Sequence, residues 1–549
     1  MRKISIVLAF LATICLSSVR FSIGKSSTEV NDVKPAPNGE QLTLNNKKDK
    51  LTMDALGRTY GYTSTLWEPV TEIEDGSVYM IRSTTNPNLV WDLTGGSLNN
   101  GTQVQLYETN YSQAQKFYIK KQFDVYGYVT YRFSPLYAYD KVLRVTGSGQ
   151  NAKLKIDDEQ YSAFNLFSDK FAIHQLHPSV PTRFAISACA NRDTGMKLTV
   201  NSVASGQKII TKEHSAYVSN MVTTWEFIKT DYVGLHVANK TYINGQNETR
   251  YVARVPHAGK YVIETKDYND GANIDTYVRL VRDSDGVQVA QNDDINYPSN
   301  ANSKITYTFQ TVEEFSIYVR GYSSSVSGYC RLILRPYKTI YLSSVFDLGH
   351  NNHDYTKHVN QAKPYLRNMG YFPEVETNIN PYSLFTGMDW ENTYKIQRDY
   401  YIHRDHGGPR TAGYFDGETE VWVDTDDFPS FAGTGVAAWI MCSGADQANG
   451  GAGNCPARQA VINGAQYSFG FRDSILTDSG DLYIKKFCEA LQTKSLEDSI
   501  IWASQECIKN RFFWLSDGIS QPSLFLNGGA TEYRYTVSGS SFSKTVINY

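Results

Sequence analysis

The chain has 549 residues, enough for three or four domains at about 150 residues each. Hydrophobic residues make up 41% and charged residues 20%, which excludes a wholly disordered protein. Lys and Arg number 53 against 56 Asp and Glu, and the resulting net charge of −3 gives no global field to attract nucleic acid or an anionic membrane. The 39 Tyr and 40 Gly residues predict much β-structure, because Tyr favours half-buried strands and Gly favours turns.

The N-terminus has the pattern of an export signal. Arg2 and Lys3 precede an apolar run over residues 4–16, which fits a signal-peptide core and is too short to span a bilayer comfortably. A small-x-small pattern at residues 22–24 offers a cleavage point. We therefore expect a signal peptide over residues 1–24, a secreted protein, and no membrane span once the signal is removed; an uncleaved anchor is the alternative.

Without Cys15, which lies in the signal-peptide segment, six cysteines are left. They are too sparse for a disulfide scaffold and lack the paired CxxC spacing of a structural zinc site. They are Cys189, Cys330, Cys442, Cys455, Cys488 and Cys507. Four of them lie after residue 440. The alternatives for these four are a disulfide bridge, burial in the core, or a role for at least one of them in catalysis.

A repeat follows a polar segment. Residues 25–75 contain few aromatic side chains and are typical of a linker or a propeptide. From 76 to 231, short strand-like runs are separated by Gly, Asn and Asp, and a motif with a central aromatic residue recurs at residues 115–119, 169–173 and 223–227, 54 residues apart. Three equal units predict a pseudo-threefold β-structure whose repeated aromatic residues fill a shared core.

The first unit carries a recognisable set of residues: Asp92, the run Gly-Thr-Gln-Val-Gln-Leu-Tyr at 101–107, and Gln115-Lys116-Phe117. It resembles the ricin-type β-trefoil lectins, whose units end in Gln-x-Trp. The resemblance implies a carbohydrate-binding set of Asp92, Gln105, Tyr107 and Gln115, with glycans or glycoproteins as partners. In it, Asp92 accepts hydrogen bonds from sugar hydroxyls, Tyr107 stacks on the sugar ring, and Gln115 braces the motif.

The other two units have lost the Gln, which argues against sugar pockets there. In the first unit, Ala114 stands where sugar-binding units commonly have an amide residue. The alternative is a trefoil scaffold without a working pocket.

Residues 232–337 change to an alternation of apolar and polar residues, as at 251–255, 259–265 and 315–320. This pattern predicts antiparallel, half-buried strands in a β-sandwich. The stretch resembles the pre-peptidase C-terminal sandwich that is often attached to secreted bacterial peptidases.

The same segment carries several aspartates. Asp270, Asp275, Asp293 and Asp294 are candidate ligands for Ca²⁺, which prefers carboxylate and carbonyl oxygens. Ordinary solvated turns are the favoured interpretation, and we expect no cofactor.

From residue 338 to 549, strands alternate with helical segments, which predicts an α/β sheet. Strands are expected at residues 340–346, 398–402, 435–441 and 466–471, and a helix at 357–368 with Pro364 inside it. Two further helices follow the fourth strand, the second capped by Ser495.

Two residues with catalytic chemistry follow the second and third predicted strands. His406 and Cys442 each come just after a strand, and functional groups of open α/β sheets lie beyond the carboxyl ends of the strands. A thiolate is a nucleophile, and a nearby imidazole can lower its pKa and move its proton. The amides of Gly407 and Cys442 are the candidate donors to an oxyanion.

The motifs Asp405-His406-Gly407 and Ile440-Met441-Cys442 resemble the caspase–hemoglobinase fold of cysteine peptidases, which includes legumain, gingipains and clostripain. Residues 460–465 and 468–471 also look like the segment after the nucleophile in bacterial relatives. The resemblance implies a three-layer α/β catalytic domain, a Cys-His dyad, and a protein or peptide substrate. Met441 departs from the pattern, because family members usually have a small residue before the Cys.

Other histidines compete for a role. His403 lies three residues before His406 and is the second choice of base, because no Gly follows it. His350, His353 and His358 follow the first strand, but their spacing matches no usual zinc motif, so no metal is expected.

Two interpretations follow from these modules. The first is a secreted cysteine endopeptidase whose β-trefoil and β-sandwich direct it to glycosylated substrates. The second is a non-catalytic secreted adhesin, in which the trefoil binds carbohydrate and the peptidase-like domain is a decayed scaffold.

Overall fold

The first module of the computed structural model is a closed barrel of β-strands with a cap of hairpins. The model describes residues 51–53, 59–61, 68–123, 129–146, 149–159, 168–189, 196–213, 224–235, 238–268, 274–296, 299–344, 346–347, 353–354, 357–377, 397–404, 407–415, 420–446, 454–510 and 518–549. A short hairpin, β1 (Leu51–Met53) with β2 (Thr59–Gly61), precedes the barrel.

Twelve strands build this module in three groups of four. They are β3 (Ser77–Ser83), β4 (Leu89–Leu93), β5 (Val104–Glu108), β6 (Phe117–Phe123), β7 (Val129–Pro135), β8 (Lys141–Thr146), β9 (Lys153–Asp158), β10 (Phe171–Gln175), β11 (Phe184–Ala188), β12 (Met196–Thr199), β13 (Ile210–Glu213) and β14 (Trp225–Lys229). The first and last strand of each group pair around a closed ring, β3-β6-β7-β10-β11-β14-β3. The hairpins β4–β5, β8–β9 and β12–β13 lie between them, so the module is a β-trefoil.

The repeated aromatic residues fill the centre of the trefoil, as the repeat predicts. Phe117, Phe171 and Trp225 have no exposed surface and belong to one core cluster. Ile73 is buried in the same cluster, and the Val70 amide donates to the Phe227 carbonyl at 2.9 Å. The trefoil therefore extends upstream of residue 76, into the segment whose composition indicates a linker.

The second module is a sandwich of two four-stranded antiparallel sheets. Its strands are β15 (Ala238–Asn244), β16 (Thr249–Arg254), β17 (Gly259–Asp267), β18 (Thr276–Arg282), β19 (Gln288–Asn292), β20 (Lys304–Phe309), β21 (Glu314–Gly321) and β22 (Ser327–Pro336). One sheet has the order β15-β22-β17-β20 and the other β16-β21-β18-β19. Alternate side chains of both sheets share one apolar core, which explains the period of two in the sequence.

In the described residues, the third module contains an eight-stranded mixed sheet and four α-helices. Its strands are β23 (Thr339–Ser344), β24 (Phe346–Asp347), β25 (His353–Asp354), β26 (Phe372–Thr377), β27 (Tyr400–Arg404), β28 (Thr411–Phe415), β29 (Glu420–Asp424), β30 (Val436–Ile440), β31 (Tyr467–Phe471), β32 (Pro522–Leu526), β33 (Thr531–Ser538) and β34 (Ser541–Asn548). Its helices are α1 (Lys357–Asn368), α2 (Pro456–Ile462), α3 (Thr477–Ala490) and α4 (Leu496–Lys509). The hairpins β24–β25 and β28–β29 lie outside the main sheet.

The main sheet has the order β26-β23-β27-β30-β31-β32-β33-β34. The first five strands are parallel and the last three add antiparallel pairings. Helices α1, α3 and α4 share a core cluster with one face of the sheet, and α2 with the hairpin β28–β29 contributes to the cluster on the other. In the described residues, helices therefore lie on both faces of this sheet. Its neighbouring strands β27 and β30 carry the residues that precede His406 and Cys442.

Within the described part of the chain, no helix has the length and apolar character needed to cross a bilayer.

Candidate functional sites

The carboxylate of Asp92 lies at the bottom of a pocket in the first trefoil unit. Asp92 is on β4, whose five residues are all buried, and is itself only 6% exposed. The antiparallel pairing of β4 with β5 sets Asp92 opposite Gln105. Cross-strand partners have neighbouring side chains, so the hairpin brings these two polar groups together.

Two amide side chains hold the Asp92 carboxylate. Nε2 of Gln105 donates to Oδ1 at 3.1 Å, and Nε2 of Gln115 donates to Oδ2 at 3.3 Å. Nζ of Lys208 in turn donates to Oε1 of Gln105 at 2.8 Å and to the hydroxyl of Thr94 at 2.7 Å. Each carboxylate oxygen has two lone pairs, so both retain acceptor capacity beyond these bonds.

Gln115 also fixes the loop at the pocket edge. It has no exposed surface, and its Oε1 accepts from the amides of Asn110 at 3.0 Å and Tyr111 at 3.1 Å. Its Nε2 donates to the Glu108 carbonyl at 2.9 Å. These contacts have the form of a brace between the loop and Asp92.

The Asp92 pocket has a volume of about 450 Å³, within the range of small-ligand sites. It is lined by Asp92, Gly95, Gly96, Leu98, Gln105, Tyr107, Asn110, Ser112, Gln113, Ala114, Pro135 and Tyr137. Tyr107 is 42% exposed, which leaves its ring available to a ligand.

The surroundings of Asp92 act on its pKa in opposite directions. Burial raises the pKa of Asp92 above its ordinary value, while the hydrogen bonds from Gln105 and Gln115 and the charge of Lys208 act in the opposite direction. A ligand hydroxyl that donated to the ionised carboxylate would also favour the charged form.

The corresponding places in the other two units hold different chemistry. Arg144 stands in the second unit where Asp92 stands in the first, and it pairs with Asp157 at 3.2 Å. Asp169 replaces the motif Gln and pairs with Arg132 at 2.9 Å. In the third unit, Thr199 stands at the position of Asp92 and is fully buried. The first unit alone of the three has a carboxylate at this position.

Cys442 lies at the carboxyl end of the parallel sheet, two residues after β30. The register pairs Arg404 at the end of β27 with Ile440 at the end of β30. The order of the strands reverses at β23: β26 lies on one side of it, and β27, β30 and β31 follow on the other. Ligands of such sheets bind beyond the carboxyl ends of the strands at this switch point. His406 lies outside the described residues.

The residue after His406 packs directly against the residues around the thiol. A Cβ atom on Gly407 would lie 2.6 Å from Cγ and Sδ of Met441 and 2.8 Å from the Cys442 carbonyl oxygen. Met441 itself is fully buried. The large Met441 side chain is therefore accommodated because the residue packed against it, Gly407, has no side chain. We call Gly407, Met441 and Cys442 the thiol edge.

The turn after Cys442 is anchored to the neighbouring strand. The amide of Ser443 donates to the backbone carbonyl of Asp473 at 3.2 Å. The amide of Ala445 donates to the backbone carbonyl of Phe471, at the end of β31, at 2.9 Å. Ser443 has φ +52°, a left-handed conformation that is uncommon for a residue with a side chain and is enriched at functional sites. The half-buried Cys442 Sγ lies 3.6 Å from the Ile475 carbonyl.

His403, the second choice of base, lies in the apolar core of the sheet. It is 1% exposed and its ring stacks with Tyr401 and contacts Trp439 at centroid distances of 6.3 and 5.5 Å. Burial, with the neighbouring charge of Arg404, lowers its pKa to about 3. His403 therefore stays neutral and enclosed, which removes it as a base for Cys442.

None of the six cysteines in the described residues forms a disulfide. Burial raises the pKa of Cys330, Cys455 and Cys488 to about 12, and Cys507 is fully buried as well. Cys189 and Cys442 are partly exposed. Of these two, only Cys442 lies at the edge of the α/β sheet.

The described residues contain no group of three His, Cys, Asp or Glu side chains placed to hold a metal ion. Asp270 and His350 lie outside those residues. Burial and the charges of Asp294 and Asp293 raise the pKa of Asp275.

Two residues at the Asp92 site carry no signal in the sequence: Tyr137, which lines the pocket, and Lys208, which lies behind Gln105. Lys208 comes from the third trefoil unit and reaches the first through an isolated bridge between Gln105 and Lys208. Tyr137 follows β7 in the second unit. The pseudo-threefold packing, rather than any local motif, brings them to Asp92.

No protein-family model matches the chain, and no curated protein matches it. Solved structures match parts of it. The designed 3-fold symmetric protein ThreeFoil is 16% identical over 28% of this chain and 97% of its own, with a TM-score of 0.22. The Rhizoctonia solani agglutinin is 18% identical over 30% and 99%, with a TM-score of 0.23. The pre-peptidase C-terminal domain of a Bacillus anthracis collagenase is 18% identical over 19% and 91%, with a TM-score of 0.16. Because all three scores lie below 0.5, the proposals below depend on the sequence and the geometry of this chain alone.

Proposed function

We propose that this chain binds carbohydrate through the Asp92 pocket. The observation that carries the proposal is a buried carboxylate, held by Gln105 and Gln115, at the bottom of a cavity that also presents a 42% exposed Tyr107 ring. A sugar needs both groups, because its hydroxyls donate to a carboxylate while its C–H face packs on an aromatic ring. Glycans and glycoproteins are the partners that this chemistry selects.

An array of immobilised glycans probed with the full chain tests this proposal. We expect selective binding that Asp92→Asn removes, because the substitution replaces an acceptor-only group with an amide. Asp157→Asn is the matched control, since Asp157 is a trefoil carboxylate that pairs with Arg144 in the second unit. Equal binding by Asp92→Asn and the wild type would exclude the pocket.

A second proposal is that the third module is a cysteine endopeptidase of the caspase–hemoglobinase type, with His406 and Cys442 as its dyad. It is supported by the contact of Gly407 with Met441 and Cys442, because that contact brings the segment after His406 to the thiol. Cys442 also follows the carboxyl end of β30, one strand away from the switch point between β23 and β27 at which such sheets bind ligands.

In this proposal, the Cys442 thiolate attacks the carbonyl carbon of a peptide bond, and the amides of Gly407 and Cys442 bind the developing oxyanion. His406 takes the thiol proton and gives it to the leaving amine as the C–N bond breaks. Water then hydrolyses the thioester, which releases the acid and restores the thiol.

Cleavage of a mixed peptide library, with and without a thiol-blocking reagent, tests the dyad. Cys442→Ser is expected to lose the hydrolysis, while Cys189→Ser, which changes the other partly exposed cysteine, keeps it. A wild-type chain that binds glycans and hydrolyses no peptide is the non-catalytic adhesin of the alternative.

Secretion is part of the same proposal, because residues 1–24 have the composition of a signal peptide. N-terminal sequencing of the exported protein is expected to start close after Gly24. A mature chain that retains Met1 would contradict cleavage.

A further inference from the structure

One carboxylate of the β-sandwich contacts the wall of the Asp92 pocket. Glu314 is the first residue of β21. Its Oε1 accepts three hydrogen bonds, two of them from the trefoil and one from Tyr232, at the start of the sandwich segment. The donors are Nε2 of Gln113 at 2.8 Å, the hydroxyl of Tyr137 at 2.5 Å and the hydroxyl of Tyr232 at 2.8 Å.

Two of these three donors line the Asp92 pocket. Gln113 and Tyr137 belong to its wall, whereas Tyr232 does not. Oε1 of Glu314 thus accepts hydrogen bonds from two residues of the pocket wall, Gln113 and Tyr137. Gln113 in turn shares a 3-10 turn with Gln115, which donates to Asp92.

The surroundings keep this contact in one state. Burial, reinforced by Glu314, raises the pKa of Tyr137 and Tyr232, so both phenols remain protonated donors. The Arg254 guanidinium lies 3.3 Å from the centroid of the Tyr137 ring and is the cross-strand partner of Glu314. Tyr137 is therefore held from its face by a cation and from its hydroxyl by a carboxylate.

We infer that Glu314 is a positioning residue of the carbohydrate site, through which the sandwich fixes the Gln113 and Tyr137 wall of the trefoil pocket. The inference rests on the proposed carbohydrate binding. It makes the sandwich a part of the recognition unit, so that the sugar site is complete only when the two modules are docked. Glu314 itself touches no sugar, and its effect on affinity passes through the two wall residues.

Calorimetric titration of the full chain with its best array glycan tests the inference. Glu314→Gln keeps the shape but weakens three charge-assisted bonds, so we expect the affinity to fall about five- to thirty-fold. Glu313→Gln is the matched control: it changes the preceding carboxylate, which bonds to Thr311 and Ser284 and leaves the pocket wall untouched. It is expected to bind like the wild type.

A double-mutant cycle separates positioning from a general loss of stability. Tyr137→Phe removes one donor but keeps the ring, and its effect on affinity should be non-additive with Glu314→Gln. Tyr232→Phe removes a donor outside the pocket and should change affinity less than Tyr137→Phe, with all melting temperatures measured alongside. If Glu314→Gln unfolds the chain, the comparison of the two Tyr variants decides alone, and equal effects overturn the inference.

The outcomes for the two proposals are distinguishable. Loss of binding in Asp92→Asn with unchanged affinity in Glu314→Gln overturns the role of Glu314 and leaves carbohydrate binding intact. Absence of any glycan binding by the wild type overturns both. Weakened binding in Glu314→Gln, coupled to Tyr137→Phe, supports the inference.

Discussion

The Asp92 pocket and the thiol edge hold their polar groups by different means. In the pocket, a carboxylate is fixed by side-chain hydrogen bonds from Gln105 and Gln115, with Lys208 behind them. At the thiol edge, Cys442 follows a buried strand, and Gly407 packs closely against the Met441 side chain and the Cys442 carbonyl. The pocket should therefore be sensitive to changes in polarity, and the thiol edge to changes in volume.

The largest effect is expected from added volume at the thiol edge. In Gly407→Ala, the new methyl group would meet Met441 at 2.6 Å and the Cys442 carbonyl at 2.8 Å, so the segment must shift. Peptide hydrolysis should fall about 100-fold or more, since a displacement of about 1 Å costs this much in rate. Kinetics with a fluorogenic peptide measure it.

Removal of the opposing side chain is the control. Met441→Ala combined with Gly407→Ala relieves the contact with the side chain but not the one with the carbonyl, so partial recovery is expected. Glycan binding should stay unchanged in both variants. Full activity of Gly407→Ala would show that the tight packing has no part in placing the thiol.

A change of polarity in the pocket should have the next largest effect, and pH produces it without a substitution. Burial raises the pKa of Asp92. In the proposed site, sugar hydroxyls donate to the ionised form of this side chain. The affinity should therefore be full above this raised pKa and be lost as the pH falls through it, at a higher pH than for an ordinary aspartate.

Titrations over a series of pH values measure this loss. At neutral pH, Asp92→Asn is expected to weaken binding by about 1.5–3 kcal/mol, ten- to hundred-fold, and its residual binding should not depend on the ionisation of this side chain. An identical pH profile in the wild type and Asp92→Asn would contradict the role of the carboxylate.

A smaller effect is expected one bond further from the ligand. Lys208→Met removes the donor to Oε1 of Gln105, which loosens the amide that holds Asp92. We expect affinity to fall by about 0.5–1.5 kcal/mol, about two- to tenfold. Lys212→Met, on the same hairpin, is the control. If the two variants lose equal affinity, the effect comes from net charge rather than from the bond to Gln105.

The sequence predicts the elements whose signals are local. Helix α1 begins and ends at the predicted residues, and Ser495 caps α4 by accepting from the Asp498 amide at 3.1 Å. The aromatic repeat predicts the trefoil core. Strand β26 was not predicted, because Pro373 and two glutamates interrupt its apolar pattern.

The parts of the site that the sequence does not predict depend on distant contacts. Gln105 and Gln115 lie close to Asp92 in the chain, so a local motif indicates them. Lys208 bonds to Gln105 across 103 residues, and Glu314 bonds to Gln113 across 201. Such pairs are set by the packing of whole modules, and no periodicity or spacing in one chain reveals them.

The most direct test of carbohydrate binding is calorimetric titration of the full chain with the glycan that it selects on the array. The wild type and Asp157→Asn are expected to bind with equal affinity, while Asp92→Asn binds at least about tenfold more weakly. Equal affinity of all three proteins would contradict the assignment of the Asp92 pocket as a carbohydrate site.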